Sequence, residues 1–140
     1  MTKISPAELC RRAEAALNPQ DLGDFYVADV GCAVVAEDGS VYAGASVGSY
    51  LGVCAEQSAV SAMVAHGPPR IAMLAAVWRD PDGAVHALPP CGRCREFLRL
   101  VSQSNLEADV VLGLDQVVKL KDLLPSHGWS SQLLWSAADR

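Results

Sequence analysis

The sequence has little positive charge. Eleven Lys and Arg face sixteen Asp and Glu over 140 residues, which gives a formal net charge of −5 and a pI near 5.0. Grip on a phosphate backbone needs clustered Lys and Arg, so a nucleic-acid polymer is not the expected partner. The basic, aromatic-lined groove on which single strands stack is missing as well. No apolar run approaches the roughly 20 residues of a membrane-spanning helix, so no membrane is expected. Met1 to Cys10 carries no apolar stretch of the signal-peptide kind. A reducing cytoplasm is therefore the expected compartment. No internal repeat, low-complexity tract or long linker divides the chain, and its length predicts one domain over 1–140. With 51% hydrophobic and 19% charged residues it is an ordinary globular sequence.

The elements alternate in the manner of a layered α/β domain. Ser5-Pro6-Ala7-Glu8 predicts a helix start, with Ser5 as N-cap, Pro6 at the first position and Glu8 completing a capping box. Leu9, Ala13 and Leu17 share one face, and Asn18-Pro19 ends the helix. Val30 to Ala36 is small and apolar throughout and predicts a strand buried on both faces. Asp38-Gly39 predicts a hairpin, and Val41 to Ala45 the returning strand. Cys54 to His66 predicts a helix, with Gly67 as its C′ residue before Pro68-Pro69. Ile71 to Trp78 reads as a central strand, Asp80 to Gly83 as a turn, and Cys91 to Val101 as a helix. Ala108 to Leu114 predicts another buried strand, and Lys119 to Leu124 a short helix stopped by Pro125.

Five cysteines are present, two of them as Cys91-x-x-Cys94. In a reducing compartment this pattern favours metal or redox chemistry over disulfides. Taken alone, Cys91-x-x-Cys94 is equally open to a structural zinc knuckle or a thioredoxin-like pair. A second segment changes the balance. Cys54-Ala55-Glu56 also falls at a predicted helix start, and a helix–strand–helix arrangement can bring both starts to one sheet edge, where open α/β sheets place ligands. Three thiolates suit Zn²⁺ with a fourth position left for water. The helix N-termini offset the excess negative charge, with Arg93 and Arg95 as candidate helpers. Bound zinc brings the pKa of water to about 7. Glu56 stands two residues past one ligand, near the metal without binding it, and is placed to carry protons to a ring nitrogen and a departing amine. The pattern is that of a zinc deaminase with Cys as first ligand. Cys10 and Cys32 are expected to be packed thiols.

These motifs, with Val30-Gly31-Cys32-Ala33, Asp38-Gly39, Pro90-Cys91-Gly92-Arg93-Cys94-Arg95 and Leu123-Leu124-Pro125, resemble the cytidine deaminase superfamily in its small three-cysteine form. The resemblance runs from about Val30 to Trp129. It implies a three-layer α/β/α sandwich around a five-stranded mixed sheet. It implies a zinc-dependent hydrolytic deaminase that releases ammonia from a cytidine-like nucleoside or another amino-substituted heterocycle. Zinc falls to Cys54, Cys91 and Cys94, and the proton shuttle to Glu56. The main chain at Ala55 would meet the ring, and the carbonyl of Pro89 the leaving ammonia. The assembly implied is a homotetramer (or homodimer) whose sites borrow loops from neighbouring subunits. Trp129 lies where the family covers its pocket and is a candidate substrate contact, as is His127.

The sequence departs from the family at the sugar site. Members acting on free nucleosides hold the ribose with an Asn-x-Glu pair on the second strand. Here Ser46 stands at the Asn position and Gly48 at the Glu position, and no Asn or Glu occurs from Ser40 to Val53. Ala28 replaces a Phe near the sugar, with Phe25 and Tyr26 close by. Gln57 follows the glutamate where three-cysteine members often carry Arg. A site built for ribose hydroxyls loses heavily without its polar partners, so cytidine is expected to be a poor substrate. The blasticidin S deaminases share the Pro-Cys-Gly-Arg-Cys-Arg segment and are the alternative within the class. A non-catalytic zinc protein of the same fold is the alternative outside it, and it would close the fourth metal position with a side chain such as His86.

Overall fold

The computed structural model describes residues 3–48, 50–128 and 132–140. Ser5 accepts the Glu8 amide at 3.1 Å and opens α1 (Pro6–Glu14) as expected. The Glu8 carboxylate turns forward to Arg11 and Arg12. Leu9 and Ala13 form the buried stripe of this helix. The strands are β1 (Gln20–Asp21), β2 (Tyr26–Ala36), β3 (Val41–Val47), β4 (Ile71–Arg79), β5 (Val85–Leu88), β6 (Asp109–Gly113) and β7 (Gln116–Lys119). Two further helices are α2 (Ala55–Val64) and α3 (Gly92–Val101). Gly67 donates its amide to the Met63 carbonyl at 3.2 Å behind α2, but not in the left-handed conformation expected of a C′ glycine.

The sheet has seven strands rather than five. Across its width it is nonetheless five rows deep, in the order β3-β2-β4-β6-β7. The two extra strands lengthen existing rows. β5 pairs with Ala76–Arg79 of β4, directly beyond Met73–Ala75, which pair with β6. β1 pairs with the first two residues of β2. The sheet is mixed, because β6 runs parallel to β4 while the other pairs are antiparallel. β5 and β7 escape sequence reading for a physical reason. Four residues carry almost no periodicity, and such short strands exist only through their partners. The helix expected over Lys119 to Leu124 is accordingly the end of β7 followed by a 3₁₀ turn at Leu120–Leu123.

The period of two sorts β2 and β4 onto both faces. Cys32 and Val34 of β2 join Leu74 and Ala76 of β4 in one core, beneath Ala59, Val60 and Met63 of α2 and Leu98 of α3. Ala33 and Val35 join Met73, Ala75 and Val77 in the other, beneath Leu9 and Ala13 of α1. Helices thus cover both faces, and the three-layer α/β/α sandwich stands. Gly44 sets the height of α2 above the sheet, since a Cβ there would lie 2.5 Å from the Ala59 nitrogen. Among the described residues no helix is long and apolar enough to cross a membrane.

Candidate active site

Two helix starts meet at one place. Cys54 is the N-cap of α2 and Cys91 the N-cap of α3, both with extended backbone. Their sulfurs lie 3.9 Å apart although the residues are 37 apart in sequence. Cys94, in the first turn of α3, is fully buried beneath them. The three sulfurs all lie within 4.8 Å of one another. Four ligands at the zinc–sulfur distance of about 2.3 Å sit roughly 3.8 Å apart in a tetrahedron, so the spacing fits that ion. Among the described residues no fourth His, Cys, Asp or Glu atom joins them within that span.

The donor chemistry agrees. Burial pushes the Cys54 and Cys94 thiols up, and the Glu56 carboxylate pushes Cys94 up further. Burial opposes the Cys91 thiolate too, but the Cys94 amide and the neighbouring thiols outweigh it and hold Cys91 below the ordinary thiol value. Left to itself the site resists three negative sulfurs, and a divalent cation between them removes that resistance. The start of α3 contributes through the Cys94 amide at Cys91. Arg93 and Arg95 do not act there directly. Arg93 Nη1 donates to the carbonyls of Gly52 and Leu51 at 3.2 and 3.4 Å. Arg95 donates to the Pro90 and Leu123 carbonyls at 2.8 and 3.0 Å, tying the cysteine turn to the Leu-Leu-Pro segment. Gln57 also has a role that sequence reading missed. Its Oε1 accepts the Cys54 amide at 3.1 Å and fixes that ligand at the helix cap.

Glu56 is 5% exposed, and its Oε2 accepts from the Cys94 thiol at 3.6 Å. Burial raises its pKa above the ordinary carboxylate value. A cavity of about 550 Å³ opens over it, walled by Cys54, Ala55, Glu56, Pro89 and Cys91. Ala55 and Pro89 are thus both in the cavity lining. The opposite wall comes from Asp29 of β2 and Ser46 of β3, with Phe25 just before β2 and Gly48 just after β3. Phe25, rather than Ala28, presents the aromatic ring there, edge-on to Tyr50 with centroids 5.3 Å apart. Ala28 is buried with φ of 56°, in a segment where β2 slips against β3 between Val27 and Gly31.

The sugar-site positions are informative. Ser46 lines the cavity, but its Oγ donates to Asp29 Oδ1 at 3.1 Å and accepts the Val30 amide at 3.2 Å. Gly48 could not carry a side chain here, since a Cβ would fall 2.0 Å from the Tyr26 carbonyl oxygen. The Asp29 partner escaped sequence reading because it comes from the adjacent strand. His86 sits on β5, where Nε2 meets Asp80 Oδ2 at 2.7 Å and the ring stacks on Trp78, so it closes no metal position. His66 binds the Ala62 carbonyl at 2.8 Å, a structural contact. Cys10 and Cys32 are free thiols, Cys32 in the core. His127 has a buried Nδ1 without a partner among the described residues. Trp129 lies outside the described residues.

Residues 7–108 match the family described as the cytidine and deoxycytidylate deaminase zinc-binding region. A cytidine deaminase of Mycobacterium tuberculosis is 39% identical over 99 residues, 69% of each chain. The crystal structure of cytidine deaminase from Mycobacterium leprae is similar with a TM-score of 0.70 and 29% identity, over 88% of this chain and 99% of that one. That of Burkholderia pseudomallei cytidine deaminase gives a TM-score of 0.68 and 29% identity, over 88% and 98%.

Proposed function

The chain belongs to the cytidine and deoxycytidylate deaminase zinc-binding family, a zinc-dependent hydrolytic deaminase by that membership, and from this premise we propose which residues do the work and on what. Cys54, Cys91 and Cys94 hold the zinc. Glu56 moves the protons. The observation that carries the assignment is the buried Glu56 carboxylate beside three converging sulfurs at the floor of one cavity.

When bound, zinc supplies Lewis-acid activation of water near neutral pH. The chain's own residues do the rest. Glu56 takes a proton from the attacking water and passes it to the ring nitrogen. It then serves the departing amine as the carbon–nitrogen bond breaks and ammonia leaves. Water has added, ammonia has gone, and a carbonyl stands where the amine was. Ala55 and Pro89 line the same cavity as Glu56, which supports a contact of the Ala55 main chain with the ring and of the Pro89 carbonyl with the leaving ammonia. Burial serves the carboxylate, since a raised pKa brings a carboxyl nearer the operating pH for acid–base work.

The substrate is a small amino-substituted heterocycle. With Ser46 turned to Asp29 and Gly48 closed to any side chain, plain cytidine is a poor candidate. A blasticidin S-type substrate is the second reading, supported by the Pro90-to-Arg95 segment. We also take 1–140 to act as one cytoplasmic deaminase domain. A homotetramer (or homodimer) is supported by bulky apolar side chains left in solvent, with Tyr50 97% and Leu51 89% exposed beside the cavity wall. Trp129 stays a candidate pocket cover.

Metal analysis should return about one zinc per chain. Ammonia release measured across cytosine, cytidine, deoxycytidine, blasticidin S and other amino-heterocycles names the substrate, and efficient turnover of cytidine, comparable with the best of the others, would overturn the reading of the sugar site. Glu56→Gln should keep zinc and lose turnover by about 10²- to 10⁴-fold. Normal turnover by that variant would remove Glu56 from the reaction.

A further inference from the structure

We propose that Asp29, seated by Ser46, determines specificity. Its carboxylate receives a hydrogen-bond donor, an alcohol O–H or a cationic N–H, on the substituent that the substrate ring carries. The inference rests on the deaminase reading and concerns the wall opposite its chemistry.

A serine hydroxyl has one proton to give. Ser46 gives it to Asp29 Oδ1 at 3.1 Å, and its oxygen already takes the Val30 amide at 3.2 Å. Towards a ligand the pair therefore presents acceptors. Oδ2 of Asp29 has no protein partner among the described residues. No Lys or Arg among them forms an ion pair with Asp29 either. Among the described residues the one cation of the cavity wall is Arg93, and it is turned to the Gly52 and Leu51 carbonyls.

Asp29 lines the same cavity as Glu56, Cys54 and Cys91, so a ring held at the floor directs its substituent towards this wall. A substituent that covers a carboxylate without donating to it leaves the charge desolvated and unpaired, which is costly. One that brings a donor recovers the loss. A cationic nitrogen gains more than a hydroxyl, because Asp24 lines the same wall and adds to the negative field. A phosphate would meet both carboxylates and be repelled. Selection at this wall thus runs cationic amine first, alcohol next, phosphate last.

The test uses zinc-loaded enzyme and four ligands of one ring: cytosine, cytidine, 1-(3-aminopropyl)cytosine and cytidine monophosphate. Asp29→Asn should raise KM for the substituted, non-phosphorylated compounds by about tenfold with kcat kept. Cytosine, which has no substituent, should be unaffected. The monophosphate should improve by a similar factor. The loss should be larger for the aminopropyl compound than for cytidine, and a larger loss for cytidine would overturn the preference for a cationic donor. Ser46→Ala keeps the carboxylate and cuts its tether, so it should show the same selectivity with a smaller loss. An equal loss for cytosine and the substituted compounds, in either variant, would make the pair purely structural and overturn the inference. So would wild-type turnover of cytosine alone, or ratios that Asp29→Asn leaves unmoved. If the zinc-loaded wild type deaminates none of the four and no blasticidin S, the deaminase reading itself fails and takes the inference with it.

Discussion

Glu56 is a carboxylate in an apolar floor, and its protonation is tied to folding. Burial raises its folded pKa above the ordinary value of 4.5. The folded chain then binds this proton more tightly than the unfolded chain. The stability that comes with the proton is full below the ordinary carboxylate value and is lost as pH rises through the folded one. At neutral pH the ionised group destabilises the metal-free protein. Metal-free Glu56→Gln should therefore melt a few degrees above metal-free wild type at neutral pH, with the gap closing on acidification. Thermal scans at stepped pH check this, and a gap that widens on acidification would contradict it. Gly48 gives a second prediction at this scale. Gly48→Ala forces a methyl within 2.0 Å of the Tyr26 carbonyl, so the backbone must shift. A loss of about 1–3 kcal/mol in urea unfolding is expected, the usual cost of overpacking. For the same reason Gly48→Glu should fail to create a ribose clamp, which KM for cytidine would show.

At the scale of elements, Asn105 holds three pieces together. It is fully buried in the 3₁₀ turn Gln103–Glu107. Its Oδ1 accepts the Ile71 amide at 2.9 Å, and its Nδ2 donates to the Leu98 and Pro69 carbonyls at 3.0 and 3.1 Å. The entry of β4 and the exit of α3 are thereby joined. Asn105→Ala leaves a buried amide unpaired, and about 2–4 kcal/mol should be lost in chemical denaturation. Nothing in the local sequence singles this residue out, because its partners lie 34 to 36 and 7 positions away. The helix starts behave differently. Ser5 is legible as a cap, and Cys54 and Cys91 as helix starts that the structure moves one residue outward to the caps, since a helix start is settled within about four residues. The long strands are legible for a similar reason, while β5 and β7 exist only by pairing.

At the scale of the whole molecule, the zinc site ties α2 to α3. Cys54 caps the one, and Cys91 and Cys94 open the other. An ion that binds only the folded chain stabilises it by mass action, by about 4 kcal/mol when free ion exceeds its dissociation constant 1,000-fold. Chelation should therefore lower Tm by on the order of 10 °C, and added zinc should restore it. Scanning calorimetry with and without chelator decides the point. An unchanged Tm would mean that the two helices hold their places without the ion.

The sequence by itself determined the chemistry. Cys54-Ala55-Glu56 and the Cys91-to-Cys94 turn are local patterns, each set at a helix start whose geometry four or five residues dictate. The three sulfurs that the fold brings together, and the buried carboxylate beside them, could be singled out from these patterns. The layered α/β order was likewise carried by runs long enough to show their period. Only the tertiary structure decided the cavity wall on which the proposed selectivity rests. It brought Ser46 of β3 onto Asp29 of β2, set Phe25 into the wall and closed Gly48 against Tyr26. Those contacts depend on strand register and on the slip between Val27 and Gly31. A slip of one residue sends side chains to the opposite face, so no local pattern in the chain encodes where they point.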